Sequence, residues 1–440
     1  MNGRGGGWGG GRAGGEYRRG GHPHVRRDPR HAVVFSAGGA KGAYAVGVLR
    51  AILTGASGTT DGALEPAIYT GSSVGGYCAA VLCSRAEDSP LAALDRLEEI
   101  WRHDIANDEM SCGNGVYRLR GLPVQEISLG CLMRPVPNFL DLVGDAAELS
   151  AAAAYRAGRF VDSELPLPAR LLESVDIAAL FDASPMRRLV ERTVDLDGLA
   201  RSSHQLEVVA SRWDTGMPRV FTRQDVVRIG HAPILASTAI PGIFHPVEVE
   251  GSPYVDGAMT MATPLRPAIR AGADVIHAIY LDPLLSNAPV PRNPNTFDVI
   301  NRVFAILGAQ RMNEDVRKAR SVNRGLTALA GRLPVDDTEA VATLGQAHET
   351  LHRRRRGARR HRHLTIHRYR PLGELGNGAD ILNFDLRQVD RLIERGYADA
   401  AAHHCDESGC VRPGETADGE ARGDNGWSGD DIRSRGRRPW

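Results

Sequence analysis

The sequence predicts an α/β fold with a largely parallel sheet. Two observations carry that prediction. Short apolar runs, too short for helices, end in turns rich in small residues. Helical patterns follow them, so strand and helix alternate along the chain. The first run is Ala32-Val33-Val34-Phe35, ending in Ser-Ala-Gly-Gly, after which Tyr44, Val48, Leu49, Ile52 and Leu53 share one helical face. Pro66-Ala67-Ile68-Tyr69-Thr70 is the second, running into Gly-Ser-Ser-Val-Gly-Gly and an apolar helix from Tyr77 to Leu82. Later strands are expected at Leu206–Ala210, Arg219–Thr222 and Val275–Leu281, with a short one at Leu364–Tyr369. Residues 100–175 break the rhythm with Leu/Ala-rich helices and prolines that include Pro135, Pro137, Pro166 and Pro168. They read as a helical insertion or cap, placed where a lid would sit.

A chain of 440 residues, 42% apolar and 24% charged, is expected to form one large domain with appendages or two domains. That composition excludes wholesale disorder and collagen. Lys+Arg 54 against Asp+Glu 53 leaves a net charge of +1, so no global field draws nucleic acid. Six cysteines are too sparse for a disulfide scaffold and favour a reducing setting. No stretch reaches the ~20 continuous apolar residues of a membrane span, and none before residue 31 resembles a secretory signal. The expectation is a soluble, cytoplasmic protein able to meet a membrane surface peripherally. Residues 1–30 read as a disordered Gly/Arg-rich arm, 31–404 as the folded domain and 405–440 as a disordered polar tail. The basic run Arg353–Arg362 reads as a surface loop.

Gly71-Ser72-Ser73-Val74-Gly75 is a Gly-x-Ser-x-Gly between a strand and a helix. That context lets Ser73 sit on a tight turn with its hydroxyl projecting, while Gly71 and Gly75 relieve crowding. The helix start behind it favours developing negative charge. Ser72 is off the centre of the spacing. Gly38-Gly39-Ala40-Lys41-Gly42 also lies between a strand and a helix. Converging N–H groups beside a lysine suit a phosphate or the oxyanion of acyl transfer, and a serine nucleophile in the same chain favours the oxyanion. Lys41 is one of two lysines, the other being Lys318. Asp256-Gly257-Ala258 taken alone is an ordinary turn, but a serine nucleophile needs a base and Asp256 can supply it.

In this order, the three elements resemble the patatin-like phospholipases. Their neighbourhoods are similar too: Ala236–Phe244, Thr263-Pro264-Leu265, and Phe384-Asp385-Leu386 leading into Ile393–Tyr397. The resemblance runs over about residues 31–400 and is densest in 31–85 and 230–282. It implies a three-layer α/β sandwich and a serine–aspartate dyad without a catalytic histidine. Ser73 would attack the acyl carbonyl, Asp256 would take its proton, and the loop amides would hold the oxyanion. The implied substrates are phospholipids or other acyl esters, with no cofactor and no metal. A lysophospholipase, thioesterase, neutral-lipid esterase or catalytically silent lipid-binding module are the rival expectations. One departure is Ala37, where the loop often has glycine. A positive φ there would strain it.

The remaining candidates have blander readings. His277 reads as a sheet-core residue, while His231 and His245 could reach a pocket and form a triad. Cys78 and Cys83 read as buried thiols. His403-His404-Cys405 with Cys410 offers metal-ligand residue types, but the spacing matches no established zinc pattern, and the segment is assigned to the polar tail.

Overall fold

The computed structural model describes residues 28–60, 64–106, 114–120, 135–164, 166–173, 177–284, 296–332, 362–376 and 378–413. Most of the expected N-terminal arm, residues 353–361 of the basic run and the tail beyond residue 413 lie outside the described residues.

The parallel core is built from β1 (His31–Phe35), β2 (Ile68–Ser72), β5 (Gln205–Arg212), β9 (Val275–Ile279) and β10 (Thr365–Tyr369). They pair in the order β10-β9-β1-β2-β5, every neighbour parallel. An antiparallel arm continues from β5: β8 (Ser252–Asp256), then β7 (Val247–Val249), while β6 (Pro218–Thr222) also pairs with β5. Strand–helix alternation does not reveal the β7–β8 hairpin. It turns through Glu250 and Gly251, both at positive φ, as a two-residue hairpin requires. A separate pair, β3 (Arg118–Leu119) with β4 (Phe181–Asp182), joins the expected insertion to the following chain.

Alternation along the strands divides the core into two faces. Val33, Phe35 and Val208 join one cluster, with helices α1 (Gly42–Leu53) and α2 (Val74–Ser84). Ala32, Val34, Ile276 and Ile366 join the other, with the helices Leu265–Ala271 and Thr296–Arg332. The result is the expected sandwich of helices on both faces of a mostly parallel sheet.

Helix α1 is buried almost all round, because a further helix, Leu386–Ala401, lies over it. The two backbones nearly touch. A Cβ at Gly47 would stand 1.9 Å from the Ile393 carbonyl oxygen, and one at Gly396 would stand 2.0 Å from that of Tyr44. Arg50, the one residue of α1 not buried, pairs with Asp95 and Glu98. Of the 100–175 segment, Pro135–Asp162 and Leu167–Glu173 are helical, and Arg118 grips Asp145 through two hydrogen bonds of 2.7 and 2.8 Å.

Packed chain is found at Arg30 on one side and beyond residue 404 on the other. The backbone N–H of Arg30 donates to Asp274 and its guanidinium to the Ala271 carbonyl. At the other end the packed chain runs on past residue 404. Val411 is buried and exchanges two backbone hydrogen bonds with Ile366 of β10. The polar composition of 405–413 hid this, because backbone pairing to an edge strand needs no apolar pattern.

Candidate active site

Ser73 sits between β2 and α2 at φ 56° and ψ −134°, a region non-glycine residues rarely adopt. Close packing maintains it. A Cβ at Gly71 would lie 2.1 Å from the Gly75 carbonyl oxygen, and one at Gly75 would lie 2.6 Å from that of Phe35. The Ser73 N–H donates to Ser237 Oγ (2.9 Å), and Ser237 in turn donates to the Val209 carbonyl (2.6 Å). Ser237 thus fixes the serine turn to β5, a role not read from the sequence, although its neighbourhood was singled out. Ser72 faces away and donates to the Met261 carbonyl.

The Ser73 hydroxyl donates directly to Asp256 Oδ2 at 2.6 Å, from the end of β8. Both residues are buried. The other carboxylate oxygen, Oδ1, accepts the Ala258 N–H at 2.7 Å. Burial pushes the Asp256 carboxyl up to about 7, only partly offset by the hydrogen bonds from Ser73 and Ala258. The carboxyl is therefore poised near neutrality, as a base should be.

The Gly-rich loop arrives from β1. Its first residue, Ser36, shares a hydroxyl hydrogen bond of 2.7 Å with Thr263, and Thr70 of β2 donates to the Pro264 carbonyl. Those two contacts give Thr263-Pro264-Leu265 its job: it ties two strand ends together. Gly39 starts a short 3-10 turn, Gly39–Lys41, at φ 57°, and a Cβ on it would stand 2.2 Å from the Ile381 carbonyl oxygen. Glycine is required there on both counts. The N–H groups at the start of such a turn have no partner within it. Ala37 is not strained: among the described residues only Ser73 and Glu250 are non-glycines at positive φ. Its amide is taken by the Ala262 carbonyl at 2.9 Å.

Gly38, Lys41, Ser73, Asp256 and Ala258 line one small cavity of about 80 Å³. Gly39 and Ser73 also line a larger one of about 630 Å³, a size that suits a small-molecule ligand. Its walls include Trp101, Phe181, Phe244, Leu382 and Phe384. Edge-to-face packing of Phe181 on Phe244 and stacking of Trp101 near Phe384 hold the rings in place. Ala40 and Gly42 are not at the cavities: Ala40 is in the core, and Gly42 packs beneath Val74 and Trp101. Lys41 is buried and donates to Asp282 Oδ1 at 3.0 Å.

The sequence model of the patatin-like phospholipase family matches residues 33–269, more than half of the chain and inclusive of Ser73 and Asp256. The chain belongs to that family. Patatin-like phospholipases are lipid acyl hydrolases. Among solved structures, the chain is similar to VipD from Legionella pneumophila at 12% identity and a TM-score of 0.36, covering 86% of this chain and 66% of that one, just under two thirds. None of the curated proteins compared with the chain matches it.

Within this patatin-like fold no imidazole stands between Ser73 and Asp256. His277 is fully buried on β9, its Nε2 3.2 Å from His31 Nδ1. Burial and neighbouring histidines hold it well below its ordinary pKa. His231 and His245 do line the larger cavity, but His231 Nε2 meets the Val194 carbonyl at 3.0 Å. Cys78 and Cys83 are buried free thiols, as expected. The aromatic walls were not foreseen, because Phe181, Phe244 and Phe384 lie far apart in sequence and share no periodicity. Among the described residues no helix is long and apolar enough to cross a membrane.

Proposed function

We propose that this chain hydrolyses the acyl esters of lipids in phospholipase A fashion, with Ser73 as nucleophile and Asp256 as its base. The direct 2.6 Å hydrogen bond between them, beside an apolar cavity, carries the reading. Ser73 Oγ attacks the acyl carbonyl while Asp256 Oδ2 accepts its proton. The N–H groups of Gly38 and Gly39 stabilise the oxyanion, and the α2 N-terminus adds positive potential. The leaving alcohol takes the proton back. Water, deprotonated by Asp256, then releases the fatty acid and restores Ser73. The aromatic walls suit an acyl chain, whose burial is favourable by roughly 0.8 kcal/mol per methylene. A panel of phospholipids, lysophospholipids, neutral glycerides and acyl thioesters, assayed with wild type and Ser73→Ala, tests the reading. Release of fatty acid from none of them by the wild type overturns it.

The Asp256 shift gives the reaction a pH profile. Only the ionised carboxylate is a base, so kcat/KM is expected to rise with pH and level off above an acid limb centred near 7. The stability consequence has the opposite sign. A folded pKa above the unfolded one contributes stability below the unfolded value, and that stability is lost as pH rises through the folded value. The Asp256→Asn variant is therefore expected to gain stability relative to wild type on passing from mildly acidic to mildly alkaline buffer. Denaturant titrations at the two pH values check it.

Lys41 is held by Asp282 and contributes from the loop rather than as a free donor. Removing a direct oxyanion donor costs ~100- to 1,000-fold. Lys41→Ala is expected to cost less than that in kcat. A loss as deep as that of Asp256→Asn would assign Lys41 a direct role in the chemistry.

A further inference from the structure

Four side chains from two distant parts of the chain converge at the outer edge of the sheet. They are His367 of β10, and His403, Cys405 and Cys410 of the segment that follows the Leu386–Ala401 helix. Their candidate ligand atoms all lie within 4.8 Å of one another. His367 Nδ1 is 3.4 Å from Cys405 Sγ, and His403 Nε2 is 3.5 Å from Cys405 Sγ and 3.4 Å from Cys410 Sγ. We propose that these residues form a structural Cys₂His₂ site for a tetrahedral, thiophilic divalent ion, zinc above all, that clamps residues 403–413 to β10.

The spacing supports an ion more than a network of thiols. A tetrahedral centre with zinc–sulfur bonds of about 2.3 Å and zinc–nitrogen bonds of about 2.0–2.1 Å places sulfur and nitrogen roughly 3.5 Å apart. Three of the six edges already have that length. An imidazole nitrogen carries one proton or one lone pair, yet His403 Nε2 faces two sulfurs at nearly equal distance. A hydrogen bond shared between both would be a weakened three-centre bond, whereas one metal ion bonds nitrogen and both sulfurs fully. Two sulfurs and two nitrogens are also the donor set that selects zinc over hard cations.

The surroundings are those of a ligated site. Ser408 Oγ lies 3.2 Å from His403 Nδ1 and can accept its N–H, the arrangement in which the Nε2 lone pair is free to coordinate. The Arg368 N–H donates to Cys410 Sγ at 3.3 Å, as it would to a thiolate. The Arg368 and Arg320 guanidinium groups both donate to the Gly409 carbonyl, holding the loop between the two cysteines. Binding releases both thiol protons to solvent, and two thiolates balance the dication. Four protein ligands leave no open position, so the ion is structural rather than catalytic. Only the combination with His367 completes the set, and His367 is 36 residues upstream of His403, so the cysteine spacing alone matches no familiar motif.

Elemental analysis of the full chain, purified without chelator, tests this independently of the lipid chemistry. A single zinc per chain is expected, lost in Cys405→Ser and in Cys410→Ser. Exchange with cobalt(II) should give the visible bands of a tetrahedral centre together with a thiolate-to-metal charge-transfer band, and chelation should lower the thermal unfolding midpoint. If the variants fail to fold, the wild-type metal content and cobalt spectrum still decide. Metal-free protein that shows no cobalt bands, with both thiols open to alkylation, overturns the proposal. So does a Cys405–Cys410 disulfide in protein prepared under reducing conditions.

Discussion

Ser73→Ala is expected to abolish acyl-ester hydrolysis while leaving the fold intact. The hydroxyl is the nucleophile of the proposed mechanism, and Asp256 is the one carboxylate that receives its hydrogen bond. Asp256→Asn keeps the shape and removes the basicity, so its kcat should fall by ~1,000-fold or more. Ser72→Ala removes only a hydrogen bond to the Met261 carbonyl and should keep most activity at a cost of about 1 kcal/mol in stability. His231→Gln and His245→Gln should also remain active. A serine-directed phosphonate should label Ser73 in the wild type and do so poorly in Asp256→Asn. Complete loss of activity in one folded histidine variant would replace the dyad by a triad.

The largest stability effect is expected at the crossing of α1 with the Leu386–Ala401 helix. Gly396→Ala gains ~0.5–1 kcal/mol in backbone entropy, because glycine is a poor helix former. It also drives a methyl group to within 2.0 Å of the Tyr44 carbonyl oxygen, and the two backbones must separate. Overpacking of this kind costs typically 1–3 kcal/mol. With backbone rather than a flexible side chain in the way, the upper end applies and the net effect is destabilising. Gly47→Ala meets the same obstacle at Ile393 and should behave alike. Urea titrations of the two variants measure this. A variant as stable as wild type would show that the helices cross with room to spare.

How much of this was legible in the sequence depends on whether the information is local. β1 and β2 announce themselves as short apolar runs before small-residue turns, and β5, β9 and β10 as short runs rich in β-branched and other apolar residues, too short for helices. Ser73, Asp256 and the glycine loop were legible because each carries its own motif at a strand end. The β7–β8 hairpin was not, since Glu250-Gly251 is not among the commonest hairpin turn pairs. The cavity walls were not, since Trp101, Phe181, Phe244 and Phe384 meet only after folding. The segment 405–413 reads as a tail because its partners are the β10 backbone, Arg320 and His367, none of which its own residues announce.

The contact between Gly39 and the Ile381 carbonyl has a consequence for the order of synthesis. Ser73 and Asp256 leave the ribosome first and can pair on a sheet already holding β1, β2, β5 and β8. The wall behind the glycine turn and the helix that covers α1 come from residues 381–401, which emerge more than a hundred residues later. A nascent chain folding from its N-terminus thus carries its serine and aspartate with the loop unsupported. Residues 381–401 are thus expected to close over the glycine turn and α1 only after Ser73 and Asp256 have met.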